Sequence, residues 1–153
     1  MLFRSISAVL EVGASHPLDF DRRLRAVSQF RSNPDAASLA AANKRVRNIL
    51  KKSAGEASHD INPDLLSEAA EIALSTALTE SAAAIAPAIA QSDFQSALRT
   101  LAGLRAVVDQ FFDQVMVMAD DTAVRANRLA LLNRMSELFL GVADISLLQT
   151  PEA

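Results

Sequence analysis

Apolar residues recur at steps of three and four along most of this chain. Phe20, Leu24, Val27 and Phe30 form one such run; Phe94, Leu98, Leu101, Leu104, Val108 and then Phe111 or Phe112 form another. That spacing puts side chains on one face of an α-helix. Glycine and proline are scarce, alanine and leucine abundant, and no Asn-Gly or Asp-Gly hairpin signal occurs, so every predicted element is helical.

Start and stop signals divide the pattern. A helix over Phe3 to Val12 stops near Gly13, and a second runs from Pro17 to about Arg31. Asn33-Pro34-Asp35 supplies a cap, a proline suited to the first helical position and an acid at the positive end of the dipole. The helix it starts reaches about Ser53. "AGEASHDINPD" is a loop, in which Asn62-Pro63-Asp64 repeats the start signal for a short turn or a new helix. An alanine-rich helix spans about Ser67 to Ile85, with a kink or an end at Pro87. Ser92 to Gln95 fits a capping box and opens a helix running to the Phe111-Phe112 pair. After a break near Met118–Asp121, a last helix covers Thr122 to Leu140, with Asp121 as its cap. The paired phenylalanines read as core, and the Val-Met-Val-Met run after them as the seal of the turn, its methionines filling gaps. The expected fold is all-α: one domain over residues 1–153, an antiparallel bundle of five to six helices.

Composition changes this picture little. A chain of 153 residues, half of them hydrophobic, can bury a real core. No apolar run approaches the roughly 18 residues of a membrane span, and the N-terminus makes a poor signal peptide. The absence of cysteine removes disulfides and thiolate chemistry and is compatible with a reducing cytoplasm.

Charge changes it more. Residues 22–52 hold nine basic side chains and one acid, Asp35; residues 53–121 hold eleven acids and two arginines. Segregation of this kind shapes a surface potential. In "PDAASLAAANKRVRNILKKS", Leu39, Ala42, Val46, Ile49 and Leu50 share one side of the helix. Lys44, Arg45, Arg47, Asn48, Lys51 and Lys52 fill the other, with no acid among them. A solvated face is one reading; a polyanion site, with Asn and Arg hydrogen-bonding bases or phosphates, is the other. Arg125 and Arg128 fall on the apolar side of the last helix with Leu132, Met135 and Phe139, while Asn127 lies off it. They read as buried ion pairs, with Asp109, Asp113, Asp120 or Asp121 nearby in sequence, or as RNA contacts, and an arginine at a pocket mouth could do both.

Catalytic signals are weak. Three adjacent residues, Ser58-His59-Asp60, cannot adopt triad geometry. Two distant histidines without cysteine make a poor zinc site, and no glycine-rich phosphate loop is present. The aromatics are all phenylalanine, mostly on apolar stripes, which limits base stacking.

Four stretches, "HPLDFDRRLRAVSQF", "LAAANKRVRNIL", "FFDQVMVMADDTAVRANRLALL" and "GVADISLLQ", resemble the C-terminal region of the β subunit of bacterial tetrameric glycyl-tRNA synthetases. The resemblance runs from about Ser5 to Gln149, and over residues 56–95 it lies in hydrophobic pattern rather than in letters. It implies an anticodon-binding domain similar to that of arginyl-tRNA synthetases, as the C-terminal piece of a longer cytoplasmic subunit. Its implied partners are glycine tRNA, the rest of the β subunit, and the α subunit in a heterotetramer of two α and two β chains; no membrane is implied. This piece would hold no cofactor and do no chemistry, ATP and magnesium being expected only at the α subunit. The expected RNA contacts are Lys44, Arg45, Arg47, Asn48, Lys51, Lys52, Arg125 and Arg128, along a groove between the helix over 34–53 and the last helix. The competing expectation is that the basic face docks onto the rest of the β subunit or onto the α subunit.

Overall fold

A computed structural model describes residues 17–141. The expected first helix over Phe3–Val12 and the closing "GVADISLLQ", apart from its glycine, lie outside those residues. Six α-helices follow in order: α1 (Pro17–Phe30), α2 (Ala36–Lys52), α3 (Ala69–Ala90), α4 (Phe94–Ala102), α5 (Arg105–Gln114) and α6 (Thr122–Leu140). A 3₁₀ turn at Pro63–Leu65 precedes α3, and there is no strand among the described residues. The all-helical bundle read from the sequence is therefore what forms.

α1 packs on α4, and α3 packs on α4, α5 and α6. α2 lies against α6 and α5. One continuous core joins all six, from Val27 and Phe30 through Leu39, Val46, Leu74 and Leu78 to Phe94, Leu101, Phe111, Leu132 and Phe139. α6 is central: Asn127 through Leu132, then Met135, Ser136 and Phe139, are all buried. A helix enclosed on several sides carries no single apolar stripe. This is why Asn127, expected off the buried side, is buried.

Local signals were realised with shifts. Asp121 caps α6, its carboxylate accepting from the N–H groups of Ala123 and Val124. α2 starts two residues later than expected, at Ala36, because the Asn33 side chain accepts from the Asp35 N–H in a turn of its own. Asn62 does the same for Asp64 and opens only the 3₁₀ turn.

Three expectations about helix ends are corrected. α3 runs through Pro87 to Ala90. Pro87 and Ala83 are exposed, so water can serve the carbonyl that proline leaves free, and Ile85 and Ile89 hold the last turns to the core. Ser92 does not begin the next helix; it ends α3, at φ 56°. The Asp93 N–H donates to Ala88 O at 2.7 Å and the Ser92 N–H to Ile89 O at 2.9 Å, a Schellman-type stop. Asp93 then caps α4, accepting from the Ser96 N–H. The third correction is that the helix expected from Ser92 to Phe112 is two helices, divided at Gly103-Leu104. Leu101, Leu104 and Val108 remain buried across the division, so the apolar spacing persists although the helix is interrupted.

α3 also corrects the reading that nothing in the chain approaches a membrane span. It has 22 residues and an 18-residue window of mean hydropathy 1.4, enough to cross a bilayer by length and composition alone. Here it packs against three other helices and buries a glutamate, Glu71, in an ion pair.

Candidate nucleic-acid interface

α2 divides as its sequence predicts. Leu39, Ala40, Asn43 and Val46 are buried, Ile49 and Leu50 half-buried. Lys44, Arg45, Arg47, Asn48, Lys51 and Lys52 are all exposed. Asn43 is the residue that sequence reasoning missed. Its amide is fully buried, and neither its oxygen nor its nitrogen has a hydrogen-bond partner among the described residues.

The acidic half of the molecule does not neutralise this flank. Among the described residues, no carboxylate lies within salt-bridge distance of Lys44, Arg45, Lys51 or Lys52. Several carboxylates find other partners. Arg105 binds Asp35 at 3.1 Å and Asp109 at 3.4 Å, and Arg125 meets Glu56 at 3.4 Å. On α1, Arg25 pairs with Asp21, and the Arg23 guanidinium lies 4.4 Å from the centre of the Phe94 ring. Lys44, Arg45, Lys51 and Lys52 of α2 are therefore among the cations left without a described carboxylate.

Arg45 has a specific seat. Its guanidinium carbon lies 4.4 Å from the Phe112 ring centre, and that ring stands edge-on to buried Phe111 at 5.6 Å. A cation over an aromatic face is attracted by the ring quadrupole, and the stack holds the guanidinium in place. A shallow groove of about 380 Å³ runs between Ala41, Lys44, Arg45, Asn48, Ile49 and Lys52. A neighbouring one of about 370 Å³ continues past Arg45 to Asp109, Phe112 and Asp113. The groove beside the cations thus opens toward α5. The expected groove toward the last helix does not carry them, because α2 meets α6 through its packed side.

The two arginines of α6 sit elsewhere. Arg128 is 6% exposed and grips fully buried Glu71 with two bonds, Nε to Oε1 at 2.8 Å and Nη2 to Oε2 at 3.2 Å. Its Nη2 also reaches Glu68, and its Nη1 donates to the Met116 carbonyl at 2.6 Å. Burial alone would raise the Glu71 carboxyl. The bonds from Arg128, the N–H groups of Glu68 and Ser67, and the Arg128 charge outweigh burial and hold it below the usual carboxylate range. Arg128 is raised in turn, chiefly by its hydrogen bond to Glu71. Arg125 donates to the Ala119 carbonyl at 2.9 Å and is half-buried. Of the two readings for these arginines, Arg128 follows the ion-pair one, while Arg125 makes one ion pair and one backbone bond and keeps part of its side chain exposed. The carboxylates are Glu71, Glu68 and Glu56, distant in sequence, rather than the nearby aspartates.

Asn127 completes this inner frame. Its amide accepts from the Asn62 N–H at 2.7 Å and donates to the Asn62 carbonyl at 3.1 Å, pinning the loop before the 3₁₀ turn. Ser58 belongs to the same loop; its hydroxyl donates to the carbonyls of Asp60 and Ala126, and His59 is exposed.

Fold and flank together define a small helical domain that presents a row of uncompensated cations on one helix. The chain belongs to the DALR anticodon binding domain family, whose model matches residues 39–150. It is 58% identical over 144 residues to the glycine–tRNA ligase beta subunit of Aeromonas salmonicida and, equally, to that of Shewanella oneidensis; the Vibrio cholerae protein is 56% identical. Each match covers 94% of this chain and 21% of the relative, so the chain spans about a fifth of their length.

Proposed function

We propose that this domain binds tRNA through the exposed flank of α2, as the anticodon-binding part of a glycine–tRNA ligase β subunit. The observation that carries the reading is the row Lys44, Arg45, Lys51 and Lys52, exposed on one helix and unpaired with any described carboxylate. An acidic domain approaching a polyanion needs such a concentrated patch, and releasing counterions from the RNA backbone supplies the affinity. Arg47 and Asn48 add hydrogen-bonding groups to the same flank. Arg128 and Arg125 serve this reading indirectly, by holding the frame behind α2. The domain does no chemistry. It holds glycine tRNA so that the acceptor end reaches the α subunit, where ATP, magnesium and glycine bind, in a cytoplasmic assembly of two α and two β chains.

Binding of glycine tRNA and of an unrelated tRNA, measured over a range of salt, tests this. Lys44→Ala, Arg45→Ala and Lys51→Ala together should weaken binding and lower the logarithmic salt slope by about 2 to 3. Equal affinity for every tRNA would reduce the flank to a nonspecific basic patch. No binding, with subunit assembly lost in the triple variant, would make it a docking face.

A further inference from the structure

Three large apolar side chains are exposed among the described residues: Ile72, Met116 and Met118. Two of them sit in the link between α5 and α6, where burial alternates along the chain. Val115 and Val117 are 6% and 7% exposed, Met116 and Met118 70% and 46%. The valines, not the methionines, seal this turn, which corrects the expectation that the methionines fill gaps. The link is also held from within. Arg128 grips the Met116 carbonyl and Arg125 the Ala119 carbonyl, so its backbone is tied to α6 while its methionines face water.

Position gives this edge a meaning. The Ser53 hydroxyl lies 3.7 Å from the Met118 sulfur, and Ser53 directly follows Lys51-Lys52 at the end of α2. An apolar, polarisable edge therefore borders the end of the cationic flank. Cations recognise phosphates and carry little sequence information. Single-stranded RNA loops are read through unstacked bases, whose edges are hydrogen-bonded and whose faces stack on aromatic rings, guanidinium planes or apolar side chains. Phe112, the half-buried aromatic beside α2, is already covered by Arg45. Met118 is exposed apolar surface near the end of the cationic flank, with exposed Met116 two residues before it in the chain, and a thioether adapts readily to a flat ring.

We propose that Met116 and Met118 form a shelf on which one unstacked base of the bound RNA loop packs while the α2 cations hold its backbone. This rests on the tRNA reading above. It is tested by fluorescence anisotropy with the chain and a labelled anticodon stem–loop of glycine tRNA, and with three such hairpins each lacking one anticodon base. The variant Met116→Ser/Met118→Ser should bind the intact hairpin about five- to tenfold more weakly, with the salt slope unchanged. Met116→Leu/Met118→Leu should stay within about twofold of the parent, and thermal melts should match, since the altered side chains are exposed. On the hairpin lacking the packed base, parent and serine variant should bind alike. The shelf is overturned if the serine variant binds as the parent does, if its loss is the same on every abasic hairpin, or if the leucine variant loses as much. Unchanged RNA affinity with weakened association to the rest of the β subunit would make the edge a protein contact and also overturn it. If the unaltered chain binds no hairpin, the tRNA reading itself fails, which is a separate result.

Discussion

Glu71 is a glutamate with no exposed surface, inside a helix otherwise rich in alanine. It is tolerable there because every bond it needs is made: two from Arg128, and others from the N–H groups of Ser67 and Glu68. Removing one member of such a pair leaves a buried charge alone. Glu71→Ala should therefore cost about 3–5 kcal/mol of stability, read by urea denaturation at neutral pH. The pH dependence follows from the direction of its shift. The folded carboxyl titrates below its unfolded value, near 4.5. Its stabilisation is present above that value and is lost as pH falls through the lower, folded one. Glu71→Gln should flatten this acid limb of the stability profile. An acid limb unchanged by that substitution would show that the pair does not govern it.

Among the elements, the junction of α3 and α4 shows how a local signal can be assigned to the wrong helix. Ser92 is a good cap residue, and Gln95 lies three positions on, so sequence alone favours a capping box. In the structure Ser92 takes a left-handed conformation to close α3, and Asp93 takes over as cap. A left-handed non-glycine residue costs about 1 kcal/mol. Ser92→Gly should then raise the melting temperature by a few degrees, about 2–4 °C per kcal/mol in a chain of this length; a lower melting temperature would mean that the serine side chain contributes something glycine cannot. The division at Gly103-Leu104 was hidden for a related reason. A tight turn that keeps Leu101, Leu104 and Val108 inside preserves the three-and-four spacing, so periodicity reports burial and not continuity. α2, in contrast, was legible in nearly every residue, because it is packed on one side and open on the other. Asn43 is its exception, a polar residue within the packed side with no partner to announce it.

For the molecule as a whole, α6 is the organiser. It is buried along most of its length, bonds the loop before α3 through Asn127, and ties α3 and the α5–α6 link together through Arg128. Its amides should be the last to exchange, opening only with global unfolding, while those of α1 exchange sooner. Native-state hydrogen exchange checks this; α6 exchanging as fast as α1 would remove it from that role. The charge asymmetry belongs to this scale too. Acidic and basic halves of one chain attract each other, yet the glutamates at 56, 68 and 71 meet Arg125 and Arg128 instead of the α2 lysines. The fold turns these glutamates to arginines of α6 and leaves Lys44, Arg45, Lys51 and Lys52 without a described carboxylate.

The sequence by itself determined the helical class, most helix limits, the two-sided character of α2 and the row of cations along it. Each of these depends on spacing and side-chain chemistry within a few residues, where a 3.6-residue repeat is enough. Only the tertiary structure decided which carboxylates meet which arginines, that Asn127 pins a distant loop, and that Met116 and Met118 face outward. Those outcomes depend on groups far apart in the chain coming together. α6 in particular is enclosed on several sides, so its own pattern carries no direction from which they could be read.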